Sequence, residues 1–132
     1  MAEDSADKVA LVAEDEVLIR NLVSYLLRSD DFAVLTAADG EEALHISRSY
    51  KGDIHLLLTD YKMPNMNGVE LIDCIRRERP ETRVLIMSGH TSGLIATQEL
   101  GCEFLRKPFV PVALREKIRE LLANPPEDPQ EF

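Results

Sequence analysis

A chain of 132 residues has room for one ordinary domain and little else. With 45% hydrophobic and 30% charged residues, its composition is that of a folded globular protein and excludes a disordered one. Its 24 acids against 15 bases leave a net charge of −9, which sets the surface against nucleic acid and anionic membrane as partners.

With no Trp, four Phe and three Tyr, the core must be built from aliphatic side chains. Cys74 and Cys102 stand alone, without zinc-ligand or redox spacing, and are expected to be buried free thiols. No run reaches eighteen apolar residues and no signal-type leader is legible, so a cytoplasmic protein is expected.

Residues 1–7 are polar and are expected to be a disordered N-terminus. Lys8–Ala13 is a short apolar run and reads as a strand. From Val17 to Arg28 the positions Leu18, Leu22 and Leu26, flanked by Ile19, Val23 and Leu27, recur at helical spacing. Leu18 and its neighbours are expected to be mostly core. Phe32–Ala37 returns to strand. Asp39 then has the character of an N-cap, with Glu42 three residues on, and opens a helix to about Tyr50. Ile54–Asp60 is nearly continuous in apolar residues, as a central parallel strand covered on both faces requires; His55 within it is expected to be a satisfied core residue.

Tyr61–Gly68 is loop signal throughout. Asn67 can cap a helix carrying Val69, Leu71, Ile72 and Ile75, which Pro80 terminates. Arg83–Ser88 is a fourth strand. His90–Leu100 is the weakest helix of the set, interrupted by Gly93, with Gly101 placed to end it. Glu103–Arg106 gives a fifth strand, and Pro111 sits in the first turn of a helix using Val112, Leu114, Ile118, Leu121 and Leu122. Residues 124–132 are Pro-rich and acidic, a composition that cannot build a core, and are expected to be a flexible tail. The domain is thus residues 8–123, a (βα)5 chain whose alternation calls for a doubly wound parallel sheet with helices on both faces.

In open α/β sheets ligands bind at the carboxyl ends of the strands. Here those ends carry Glu14 and Asp15, Asp60, Ser88 and Lys107. Three carboxylates, a hydroxyl and an ammonium make a site for a divalent cation and a phosphoryl group. Asp60 can serve as a metal ligand or as a nucleophile that takes a phosphoryl group to form an acyl phosphate. Glu14 and Asp15 would repel one another without a cation, and their hard oxygens suit Mg²⁺. Only one of the pair can point straight at the ion; Asp15 is assigned that place, with Glu14 acting directly or through water and the Lys62 carbonyl completing the shell. Lys107 and Ser88 supply donors to the phosphoryl oxygens. A cis Lys107-Pro108 bond would carry only the small penalty usual before proline.

Each residue taken singly has an ordinary reading: a helix cap for Asp15, a turn residue for Ser88, a solvated charge for Lys107. Their joint appearance at four strand ends is what carries the argument. Phosphate-binding and dinucleotide-binding glycine motifs are absent, and His45, His55 and His90 have no metal spacing. A haloacid-dehalogenase type of aspartyl phosphatase needs a second Asp two positions after the first, where this chain has Lys62.

Four segments resemble the receiver domain of two-component response regulators: Leu11-Val12-Ala13-Glu14-Asp15-Glu16, Leu58-Thr59-Asp60-Tyr61-Lys62-Met63-Pro64 with Asn67-Gly68, Met87-Ser88-Gly89, and Phe104-Leu105-Arg106-Lys107-Pro108-Phe109. The resemblance runs from about Lys8 to Ala123. It implies a flavodoxin-like fold with strand order 2-1-3-4-5. It implies that Asp60 accepts a phosphoryl group from a histidine kinase or histidine phosphotransfer protein. Mg²⁺, or Mn²⁺ in its place, would be held by Asp15, Asp60 and the Lys62 carbonyl, with Glu14 where the family commonly has Asp. Ser88 matches the switch hydroxyl and Phe104 the switch aromatic.

By the same resemblance, phosphorylation draws Ser88 toward the phosphoryl oxygens, Phe104 fills the vacated space, and a surface over roughly residues 90–123 changes. The exposed end of the first helix is where family kinases dock. The expected function is a stand-alone receiver, monomeric or a phosphorylation-linked dimer, that switches contacts with a downstream protein effector. It would catalyse its own Mg²⁺-dependent phosphorylation and dephosphorylation. The alternative is a phosphate sink or phosphorelay shuttle. A pseudo-receiver regulated without phosphate is set aside, because every expected site residue is present.

Overall fold

The computed structural model describes residues 8–123; the expectations for residues 1–7 and 124–132 lie outside the described residues. Strands and helices alternate as β1 (Lys8–Ala13), α1 (Val17–Ser29), β2 (Phe32–Ala37), α2 (Gly40–Ser49), β3 (Leu56–Asp60), α3 (Gly68–Glu78), β4 (Arg83–Ser88), α4 (Thr91–Leu100), β5 (Glu103–Arg106) and α5 (Pro111–Ala123). The strands form one parallel sheet in the order β2-β1-β3-β4-β5. This is the flavodoxin-like order, and it places the carboxyl ends of β1, β3, β4 and β5 along one edge.

Period-two alternation divides the strands between two cores. On one face Leu11, Ala13, Leu57 and Ile86 meet Ala43 and Leu44 of α2 and Leu71, Ile72 and Ile75 of α3. On the other, Ala10, Val12, Leu56, Leu58, Leu85 and Met87 meet Val23, Leu26 and Leu27 of α1 and Leu114 and Ile118 of α5. All five residues of β3 are buried, which is why its sequence shows no polar alternation. β3 begins two residues later than its apolar run. Yet the His55 N–H donates to the Val9 carbonyl at 2.8 Å and the His55 carbonyl accepts from the Arg83 N–H at 3.0 Å, so the ladder extends past the assigned end. The His55 ring is half-buried, and its Nδ1 accepts from the Val9 N–H at 3.0 Å.

The first helix corrects the sequence reading. Val23, Leu26 and Leu27 face the core, while Leu18 is 84% exposed and Leu22 is 41% exposed. The Leu18-Leu22-Leu26 stripe is therefore open to solvent at its first two positions and covered only at Leu26. The two cysteines are half-buried rather than buried.

Helix ends follow their local chemistry. Asp39 caps α2 by accepting from the Glu42 N–H at 2.8 Å, while Glu42 reaches back to the Ala38 N–H rather than to Asp39 itself. Asn67 and Glu70 form a full capping box on α3. Gly101 ends α4 with φ 70°, a left-handed conformation that glycine adopts without penalty. The end of α2 is held from outside. Arg79 donates to the carbonyls of Ser47, Tyr50 and Gly52 at 2.9, 2.8 and 2.6 Å, and to the Ser47 hydroxyl at 3.0 Å. The Ser47 and Tyr50 carbonyls are ones that the helix terminus leaves without intrahelical partners, and Gly52 follows just beyond it. Arg79→Ala is expected to cost about 2 kcal/mol in a urea melt, and Arg79→Lys to recover only part, since an ammonium cannot span the same fork of acceptors.

Candidate functional site

The site forms where β1, β3 and β5 end. Glu14 leaves β1 with its N–H donating to the Ala37 carbonyl at 3.0 Å, and its side chain is fully buried. Its Oε2 accepts from the Glu16 N–H at 3.1 Å, and its Oε1 lies 2.6 Å from Lys107 Nζ. Asp60 accepts from the Tyr61 N–H at 2.7 Å through Oδ1 and from Lys107 Nζ at 2.9 Å through Oδ2. Glu16 Oε1 completes the grip on Lys107 at 3.3 Å. Carboxylate oxygens of Glu14, Asp15 and Asp60 lie within 4.8 Å of one another.

Burial pushes the Glu14 carboxyl from 4.5 up to about 7, against the Lys107 and Glu16 hydrogen bonds that pull it down. Burial also pulls the Lys107 ammonium down, but its bonds to Glu14 and Asp60 and their charges more than reverse this and leave it raised. Lys107 is therefore a fixed cation among acids. The remaining negative charge and the hard oxygen donors suit a small divalent cation.

The structure brings Glu14, Asp15, Asp60 and Lys107 together. Glu14 is the buried member of the adjacent pair and Asp15 the exposed one. Lys62 is exposed in the loop directly after Asp60. Ser88 ends β4 beside Met87, the register partner of Asp60. It is fully buried; its Oγ accepts from the His90 N–H at 3.0 Å, and its carbonyl accepts from the Lys107 N–H at 2.9 Å. Phe104 lies half-buried on β5 opposite Ile86. The Lys107-Pro108 bond is cis.

The first turn of α4 presses onto Ser88. A Cβ at Gly93 would stand 2.5 Å from Ser88 Oγ and 3.4 Å from the Tyr61 Cβ. The glycine that weakens this helix in the sequence is the one that lets its backbone approach the hydroxyl. At the other end, Arg76 of α3 donates to the Leu100 carbonyl and approaches Cys102 Sγ at 3.2 Å.

Two contributors escaped the sequence reading. Glu16 extends the acidic run, and its side chain reaches Lys107 across 91 positions of sequence. Arg20, on the first turns of α1, donates to the Glu14 carbonyl at 2.8 Å and so braces the acidic loop. The acidic run Glu14-Asp15-Glu16 was a usable signal for the first; the second had none. Beside the site, Leu18, Leu22 and the 67% exposed Tyr25 line the outer face of α1. Among the described residues no helix is long and apolar enough to cross a membrane.

Comparison with known proteins places the fold in a family. The response regulator receiver domain model matches residues 10–119. The chain is 29% identical over 119 residues to the alkaline phosphatase synthesis transcriptional regulatory protein PhoP of Bacillus subtilis, covering 88% of this chain and 49% of that protein. It is 34% identical over 117 residues to the probable transcriptional regulator ycf27 of Cyanophora paradoxa, covering 87% and 48%. The chain thus spans about half the length of these curated relatives. Among solved structures, the chemotaxis protein CheY4 of Vibrio cholerae superposes with a TM-score of 0.77 at 28% identity, covering 86% of this chain and 98% of that one. The chain belongs to the response regulator receiver domain family of two-component signalling.

Proposed function

We propose that Asp60 accepts a phosphoryl group from a histidine kinase or histidine phosphotransfer protein, and that the chain acts in the cytoplasm as a stand-alone receiver switching contacts with a downstream protein effector. The observation that carries this reading is the Asp60 carboxylate held 2.9 Å from a half-buried ammonium, beside two further acids at the neighbouring strand end.

Glu14, Asp15 and Asp60, with the Lys62 carbonyl, would hold Mg²⁺; when bound it supplies charge neutralisation for the approach of one anion to another. An Asp60 oxygen attacks phosphorus, the bond to the donor's leaving group breaks, and an aspartyl phosphate results. Lys107, already beside Asp60, pairs with the oxygens of the arriving group. Ser88 stands on the neighbouring strand end to donate its O–H to another of them. Hydrolysis, with water as the acceptor, returns Asp60 to a carboxylate.

The test is intact mass after acetyl phosphate treatment, with and without Mg²⁺, beside Asp60→Asn. A single Mg²⁺-dependent phosphoryl adduct is expected in the parent and none in the variant. An adduct that persists in Asp60→Asn would remove Asp60 as acceptor, and rapid decay of the parent adduct would turn the reading from switch to phosphate sink.

A further inference from the structure

The loop that follows Asp60 has to stay in place for Lys62 to offer its carbonyl, and its own hydrogen bonds are few. Met66 N–H donates to the Pro64 carbonyl at 2.8 Å and Gly68 N–H to the Tyr61 carbonyl at 2.9 Å. A further fastening, at the middle of the loop, comes from a different part of the chain. Asn65, in a left-handed conformation at φ 69°, donates its side-chain amide to Asp39 Oδ2 at 2.8 Å. The other oxygen of Asp39 is the N-cap of α2. One carboxylate therefore serves two tasks, and its pKa is lowered first by the Glu42 N–H and then by Asn65.

A second contact makes the same junction independently. A Cβ on Gly40, the first residue of α2, would overlap the Met66 carbonyl oxygen and stand 2.9 Å from the Met66 carbonyl carbon. Helix propensity would favour Ala over Gly at this position. The glycine is instead matched to the loop backbone lying against it.

We propose that Asp39 and Gly40 are positioning residues: the start of α2 is a seat that fixes the β3–α3 loop, and with it the loop's share in Mg²⁺ binding. This rests on the reading above that the acidic cluster and the Lys62 carbonyl take Mg²⁺. By linkage, Mg²⁺ binding in turn tightens the first turn of α2, an element that carries none of the metal's ligands.

The test is calorimetric titration of the metal-free protein with MgCl₂, beside Asp39→Ser, Asn65→Gly, their double variant and Gly40→Ala. Serine keeps the N-cap but is too short for Asn65, and glycine keeps the left-handed backbone but loses the amide. Each single variant is expected to bind Mg²⁺ about three- to fivefold more weakly, with the double variant no weaker than either single one. Amide exchange over residues 61–67 is expected to speed up in Asn65→Gly. Gly40→Ala, whose Cβ has to displace the Met66 backbone, should also weaken binding, and unchanged affinity there would detach Gly40 from the seat. Unchanged Mg²⁺ affinity in Asn65→Gly, or additive losses in the double variant, overturns the seat while leaving the metal site standing. A parent protein that takes no Mg²⁺ overturns both.

Discussion

In metal-free solution the unfolding free energy is expected to fall by about 2–3 kcal/mol as pH rises from 5 to 8. The source is Glu14, whose native carboxyl holds its proton to about pH 7 while the unfolded chain releases it near 4.5. Between those values the native state binds more protons than the unfolded one, so stability falls with rising pH. Other shifted groups act outside this window. Lys107, raised above 10.5, contributes stability that is present below that value and is lost only at higher pH. Asp39 and Glu78, lowered from 3.8 and 4.5 by their hydrogen-bond partners, lose their contributions only toward acid. Urea melts in EDTA at pH 5, 6, 7 and 8 read the slope directly. Glu14→Gln is expected to flatten it, whatever that change does to stability at any one pH. A flat parent curve would mean that Glu14 is already ionised in the native state.

Lys107→Met is expected to destabilise the protein by about 3 kcal/mol at pH 8, because it strips the partner from a fully buried carboxylate. The methionine keeps most of the buried stem volume, so the loss reports charge rather than a cavity. At pH 5 Glu14 can take up a proton, and the loss is expected to shrink to about 1 kcal/mol. Equal losses at both pH values would assign the effect to packing instead. The two experiments are linked: one shows what it takes to ionise Glu14 beside Lys107, the other without it.

The alternation of strand and helix was legible because each element carries its own signal: the unbroken Leu56-Leu57-Leu58 run, the Asn67 cap, Pro80 and Gly101 as stops. The converging residues were legible because β1, β3, β4 and β5 each end in a group with chemistry, and the fold does the rest. What the sequence could not show is direction. Leu18-Ile19 and Leu22-Val23 offer the same hydrophobicity to either side of α1, and only the sheet behind the helix decides that Val23 turns in and Leu18 out. Likewise, Glu14 and Asp15 are neighbours with similar side chains, yet one is sealed against Lys107 and the other faces water. The Asp39–Asn65 bond joins two loops 26 positions apart through exposed polar groups, which leave no periodicity to detect.

The packing of Gly93 on Ser88 restricts how this chain can change over evolutionary time. The two positions share one small volume, with Tyr61 on its far side. A methyl group gained at 93 has to be matched by room yielded at 88 or by a retreat of the whole helix. The two sites are therefore coupled in size: bulk added at 93 fits only with bulk removed at 88 or with the start of α4 displaced.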